Sequence, residues 1–277
     1  MKFIWRFKVL FFWLIGRGRG TTVKSLFRNI ARPRFKKRAE EYIESIAEDS
    51  SDYIIKIKNY ISPLFFPKNI GLDALYHVIC EICDKDDWHF YEVPETRVTV
   101  DDIIVDCGAA EGLFSLTVKD RCRHVYIIEP LPSFLESLVK TFQNDKNITI
   151  LPFALGSSSY ESYITNDGMA ARISKHPTKT VVNVETIDNL FFHQNKKITY
   201  IKADIEGHEL EMLSGARLTI EKYHPTIAIT TYHHSTHAEL ISAFLKDICS
   251  DYIIITKGME DDTGAPKLLH AWIPNFN

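Results

Sequence analysis

Two apolar runs, each closed by an acid, constrain this chain more than any other feature. Ile103-Ile104-Val105 leads into Asp106-Cys107-Gly108-Ala109-Ala110-Glu111-Gly112, and residues 113–119 read as a helix. Residues 125–128 form the second run and end in Glu129. A buried strand that breaks into a glycine-containing turn and feeds a helix is the geometry of a nucleotide site in an α/β sheet. The acid closing the second strand is placed to accept hydrogen bonds from two ribose hydroxyls.

The 277 residues suffice for one full domain and an N-terminal extension, with an ordinary 45% hydrophobic and 25% charged composition. The net charge of −3 conceals an asymmetry: residues 1–38 hold 12 Lys/Arg and no acid, and the remainder holds 21 Lys/Arg against 36 Asp/Glu. A basic arm on an acidic body favours anionic surfaces as partners of the arm. The five cysteines are odd in number and suggest no disulfide framework, so reduced thiols and a cytoplasmic location are expected. Cys80-x-x-Cys83 falls in an expected helix and reads as packed thiols rather than a zinc site.

Residues 3–15 are aromatic and apolar, but Arg6 and Lys8 leave only seven uninterrupted apolar positions, too few to cross a bilayer. Residues 16–20 make a poor leader-cleavage site. The arm, residues 1–38, is expected either to lie peripherally on the cytoplasmic face of a membrane or to pack on the body or a partner subunit. Nucleic acid is disfavoured as a partner, since no recognition module accompanies the basic residues. Residues 39–87 read as a helical lead-in, and the alternation of 88–93 reads as a strand opening a domain over 88–277.

Strands are then expected at 103–105, 125–128, 148–154, 198–203 and 226–230, with two more at 252–255 and 268–273. Helices are expected at 133–142, capped by Ser133, and at 238–246. Repeated strand–helix units give a doubly wound α/β sheet with its site at the strands' C-terminal ends. The turn lacks the second glycine of G-x-G-x-x-G, and Glu111 would oppose a diphosphate, so a sulfonium methyl donor suits it better than a nicotinamide dinucleotide. Asp204 and Glu206 close the fourth strand, and His233 and His234 follow the fifth. Asp204 is expected to position an acceptor and His233 to remove its proton, with Glu206 and His208 nearby. Asp204, Glu206, His208 and His233 are residue types that could hold a divalent ion, although no metal is expected.

The Asp-x-Gly-Ala-x-x-Gly turn at 106–112, Glu129, residues 182–188, the block Tyr200-Ile-Lys-Ala-Asp-Ile-Glu-Gly-His-Glu-Leu-Glu-Met-Leu-Ser-Gly-Ala216, and Ala228-Ile-Thr-Thr-Tyr-His233 together resemble the FkbM-type methyltransferases. The resemblance covers roughly residues 88–274 and leaves out the arm. It implies a Rossmann-like class I methyltransferase fold, a seven-stranded, mostly parallel sheet flanked by helices, here with an N-terminal helical extension. It also implies S-adenosylmethionine as cofactor and, usually, O-methylation of a sugar or secondary metabolite. Carried over, Asp106, Gly108, Ala109 and Gly112 would line the cofactor's methionine and ribose, Glu129 would hold the ribose, and Phe153 and Ala154 would lie near the adenine. His208 stands where many relatives have a small residue. A saccharide or glycan hydroxyl is the expected acceptor, shaped in part by residues 156–180. The alternative is a catalytically silent scaffold whose arm binds membrane or partner.

Overall fold

The computed structural model describes residues 2–17, 20–165, 168–174 and 176–274. Helices α1 (Lys2–Leu14), α2 (Val23–Ala31) and α3 (Phe35–Ala39) make up the arm. Thr22 starts α2, its hydroxyl accepting the Ser25 N–H at 3.2 Å and so satisfying one of the donors a helix start leaves open. Val9 and Leu26 are buried against Trp88 and Met259, with Leu10, Phe12, Trp13 and Ile30 around them. The arm thus packs on the body through one face.

The helical reading of 39–87 is corrected by the structure. Strands β1 (Ile43–Glu48), β2 (Asp52–Ile57) and β3 (Leu64–Pro67) form an antiparallel sheet, and only then does α4 (Leu72–Cys83) begin. The apolar spacing around Ile43 and Ile46 fits a helix, but Asp49 overrides it. Its Oδ1 accepts the N–H groups of Ser51 and Asp52 at 2.8 and 2.7 Å, an Asx turn that folds the chain back on itself. Residues 88–93 are likewise no strand. Asp87 accepts the His89 N–H at 2.9 Å and pairs with Arg32 at 2.9 Å, holding the segment as a turn while Trp88, His89 and Tyr91 still point inward. The Cys80 thiol is buried in α4 and donates to the Phe35 carbonyl at 3.3 Å.

The main sheet takes β4 (Ile103–Cys107), α5 (Leu113–Val118), β5 (His124–Ile128), α6 (Pro132–Phe142) and β6 (Ile148–Leu151) from its first half. A smaller sheet follows from β7 (Ala154–Leu155), β8 (Tyr160–Ile164), β9 (Ile173–Ser174) and β10 (Thr180–Glu185), in the order β7-β10-β8-β9. The chain then returns through β11 (Tyr200–Ala203), α7 (Glu209–Ser214), α8 (Arg217–Tyr223), β12 (Thr226–Thr230), α9 (His237–Ile248), β13 (Ile253–Lys257) and β14 (Leu268–Trp272). The seven main strands lie in the order β13-β14-β12-β11-β4-β5-β6, parallel from β12 to β6, with β14 antiparallel to both neighbours.

Three expectations shift in detail. Ser133 sits inside the first turn of α6, because Pro132 can take the opening helical position, and the helix is capped at Leu131. The third strand stops at Leu151, where Pro152 removes a donor, and Ala154 pairs instead with Val184 of the smaller sheet. Residues 156–180 carry β8 and β9; positions 166, 167 and 175 within them, and 275–277 at the end of the expected domain, lie outside the described residues. The antiparallel sheet is fastened to α6 by the Thr141 hydroxyl, which accepts the Phe65 N–H at 3.0 Å, and by Asp52, which pairs with Lys140 and accepts from Ser137. Strand order reverses between β4 and β11, so the crevice beyond their C-terminal ends is where such a sheet binds ligands.

Candidate active site

Two cavities meet in that crevice. One, of about 80 Å³, is lined by Leu131, Phe134, Phe153, Ala154 and Glu129. The other, of about 400 Å³, is lined by Asp73, Glu81, His89, Tyr91, Glu111 and Tyr232. Gly108, Ala110, Met169, Asp204 and Glu206 border both.

Gly108 is fixed by geometry: its φ is +68°, and a Cβ there would lie 2.1 Å from the Asp204 carbonyl oxygen. The β4 and β11 loops can approach this closely only without a side chain between them. Glu129 is buried, with Oε2 accepting the Ala110 N–H and Oε1 the Leu131 N–H, each at 2.9 Å. Burial raises its pKa to about 7 despite those bonds. Phe153 and Ala154 lie in the smaller cavity, and Ala109 in the larger.

Asp106 and Gly112 line neither cavity. Asp106 is fully buried; it accepts from Ser115 at 2.7 Å and pairs with Lys202 at 2.9 Å. Lys202 also donates to the Gly108 carbonyl at 2.9 Å. One ammonium therefore ties the turn to β11, and Asp106 supports the site from behind rather than from its wall. Gly112, at φ +82°, serves packing, since a Cβ there would lie 2.5 Å from Leu138 Cδ2.

Asp204 stands where the cavities meet. Tyr91 donates to its Oδ2 at 2.8 Å, and Thr230 to its Oδ1 at 3.2 Å. Glu206 adopts φ +57°, a left-handed conformation that a residue with a side chain rarely takes. The turn is held from below by Glu209, which is fully buried and accepts the N–H groups of Ile205 and Gly207, each at 3.2 Å. Burial opposes its charge, but its side-chain contacts with His233 at 3.1 Å and His237 at 3.3 Å keep its carboxyl below the ordinary range.

His233 Nδ1 lies 3.1 Å from Glu209, and its Nε2 lies 3.3 Å from Glu206 and 3.8 Å from Asp204. Burial opposes its charge, but the contacts with Glu206 and Glu209 prevail and raise its pKa to about 10. The resting side chain is an imidazolium, which offers no lone pair to an acceptor proton. His208 borders the smaller cavity at the start of α7. His234 is exposed and lines neither cavity. Asp204, Glu206 and His233 place their ligand atoms within 4.8 Å of one another, the one such group among the described residues. A metal ion there would have to displace the His233 proton.

The larger cavity holds residues that strand-end reasoning did not reach. His89 is buried, with Nε2 3.6 Å from Asp204 and Nδ1 4.0 Å from Glu81. Burial lowers its pKa to about 4, so it is the neutral imidazole of the site. Its neighbour Glu81 is pushed up to about 8 by burial. Both precede the α/β repeat; the expected strand at 88–93 draws attention to the segment of His89, and no signal marks Glu81.

A family model described as the methyltransferase FkbM domain matches residues 106–250. The chain belongs to that family. Among solved structures, methyltransferase FkbM from Methylobacillus flagellatus KT is similar at 24% identity, with a TM-score of 0.51 over 75% of this chain and 56% of that one. This FkbM chain therefore matches little more than half the length of that relative. Aeropyrum pernix fibrillarin, solved with S-adenosyl-L-methionine, is similar at 12% identity with a TM-score of 0.42, over 83% of this chain and 99% of that one. No curated protein matches. The fold is that of the class I methyltransferases, with the seven strands the family resemblance implied.

Proposed function

We propose that this FkbM domain is an S-adenosylmethionine-dependent O-methyltransferase acting on a hydroxyl of a saccharide or glycan. The observation that carries the reading is the pair of cavities meeting at Asp204. The smaller has apolar walls for an adenine and, in Glu129, an acid for ribose hydroxyls. The larger combines carboxylates with Tyr91, Tyr232 and Phe114, the mixture that suits a polyol ring: acceptors for hydroxyls and flat faces for its C–H groups. Acids around both cavities also fit a cationic sulfonium.

The bound cofactor would supply an activated methyl group. Asp204, held by Tyr91 and Thr230, would accept a hydrogen bond from the acceptor hydroxyl and orient it. Methylation of a hydroxyl would require its proton to pass to a base of the site. Neutral His89 beside Asp204 is better suited to receive it than the charged His233. Glu206 and His233 hold the loop that presents Asp204.

Calorimetry with S-adenosylmethionine tests the first half of the reading, and mass spectrometry of candidate saccharides the second. The intact protein is expected to bind the donor and yield a product heavier by one CH2. Glu129→Ala should weaken donor binding about tenfold or more. Asp204→Asn should keep donor binding and lose about a hundredfold in turnover. Absence of donor binding by the intact protein, or full turnover by Asp204→Asn, would overturn the reading.

A further inference from the structure

α1 is apolar on two faces, and only one of them is used by the body. Val9 faces Trp88 and Met259, with Leu10, Phe12 and Trp13 beside it. On the other face Phe7, Phe11 and Leu14 recur at i, i+4 and i+7 and are 65%, 56% and 67% exposed. α2 repeats the division: Leu26 is buried, while Val23 and Phe27 are 52% and 61% exposed. Single exposed apolar residues need no explanation, but a stripe of them on two adjoining helices does. The inner faces of both helices join one small core, so their outer faces both look away from the body.

Charge selects the occupant. The arm carries 12 cations and no acid over residues 1–38. Body acids answer some of them: Lys8 pairs with Asp262 at 2.9 Å, Arg32 with Asp87 at 2.9 Å, Arg38 with Asp84 at 2.7 Å, and Arg28 with Asp86. Lys24, Arg34, Lys36 and Lys37 make no ion pair among the described residues.

We propose that this face seats the protein on an anionic lipid bilayer. α1 and α2 lie in the interface with Phe7, Phe11, Leu14 and Phe27 at the boundary of headgroup and acyl chain, and Lys24 and Lys37 meet the headgroups. The arm lies on the bilayer rather than crossing it, since no helix among the described residues is long and apolar enough to span one. A second copy of the chain is the competing occupant. Symmetric pairing through this face would set the arm's predominantly cationic surface against itself, a cost that an anionic membrane does not carry. Docking would also matter to the acceptor. Arg6, Arg32, Arg34 and Lys36 of the same arm wall a cavity of about 630 Å³ that shares Asp73 and His77 with the acceptor cavity.

Flotation of the full chain with phosphatidylcholine–phosphatidylglycerol vesicles, and with phosphatidylcholine vesicles alone, tests the proposal. Strong flotation is expected only with the anionic vesicles, and it should weaken as salt screens the headgroups. Phe7→Ser/Phe11→Ser/Phe27→Ser should lower partitioning at least about tenfold. Its thermal midpoint should match the parent, because the replaced rings are exposed. The proposal is overturned if the full chain stays unfloated, or if the triple variant floats as well as the parent. It is also overturned if sedimentation shows a dimer that the triple variant dissolves, since the face would then be a contact between copies.

Discussion

His233 is held by three carboxylates and takes its character from them. Its pKa rises from the ordinary 6.5 to about 10 on folding, so the folded state binds the extra proton between those values. The resulting stabilisation is fully present below about pH 6.5 and is lost as pH climbs through 10. Denaturant titrations from pH 7 to 10 should show the parent losing on the order of a few kcal/mol more than His233→Gln. Parallel pH profiles for the two proteins would refute the charged imidazole. At this scale the sequence was legible where a residue's place follows from a strand end. Asp204, Glu206 and Glu129 are acids after apolar runs, and they border the cavities. Asp106 ends a strand too, yet its pairing with Lys202 turns it from the cavity wall into a support. Lys202 sits mid-strand among apolar residues, where no local pattern reveals that it reaches across to β4.

Whole elements are placed by contacts that spacing alone does not carry. The α/β repeat from β4 to β14 was readable because continuous apolar runs and amphipathic helices differ in period. Residues 43–67 were not, since short apolar runs fit either period and the deciding Asx turn at Asp49 is a side-chain event. Gly112 illustrates the same distinction. Family resemblance assigns it to the cofactor, whereas the fold uses it to let α5 start beneath α6. With φ at +82° and a Cβ only 2.5 Å from Leu138 and 2.9 Å from Phe142, Gly112→Ala is expected to cost about 1–3 kcal/mol in urea denaturation. Donor affinity of the folded variant should stay close to the parent's. A large loss of affinity with unchanged stability would return Gly112 to the cavity wall.

At the scale of the molecule, the body is divided between a sheet that builds the crevice and an N-terminal half that closes it. α4 and the turn at 87–91 supply Glu81, His89 and Tyr91 to a site whose other walls come from the strand ends. The family match begins only at residue 106, so these residues of the larger cavity lie outside the matched region.

The Lys202 ammonium holds both Asp106 and the Gly108 carbonyl, while Gly108 itself lies against the Asp204 backbone. The floor of one cavity and the hinge of the other are thus a single mechanical part. Ligands that share such a part are expected to influence one another, and thermodynamics requires any such influence to be mutual. Calorimetry should find that a bound acceptor changes donor affinity by the same factor by which bound donor changes acceptor affinity, and that Lys202→Met brings that factor towards one. Lys202 borders the larger cavity and, through the Gly108 carbonyl, holds a residue that borders both.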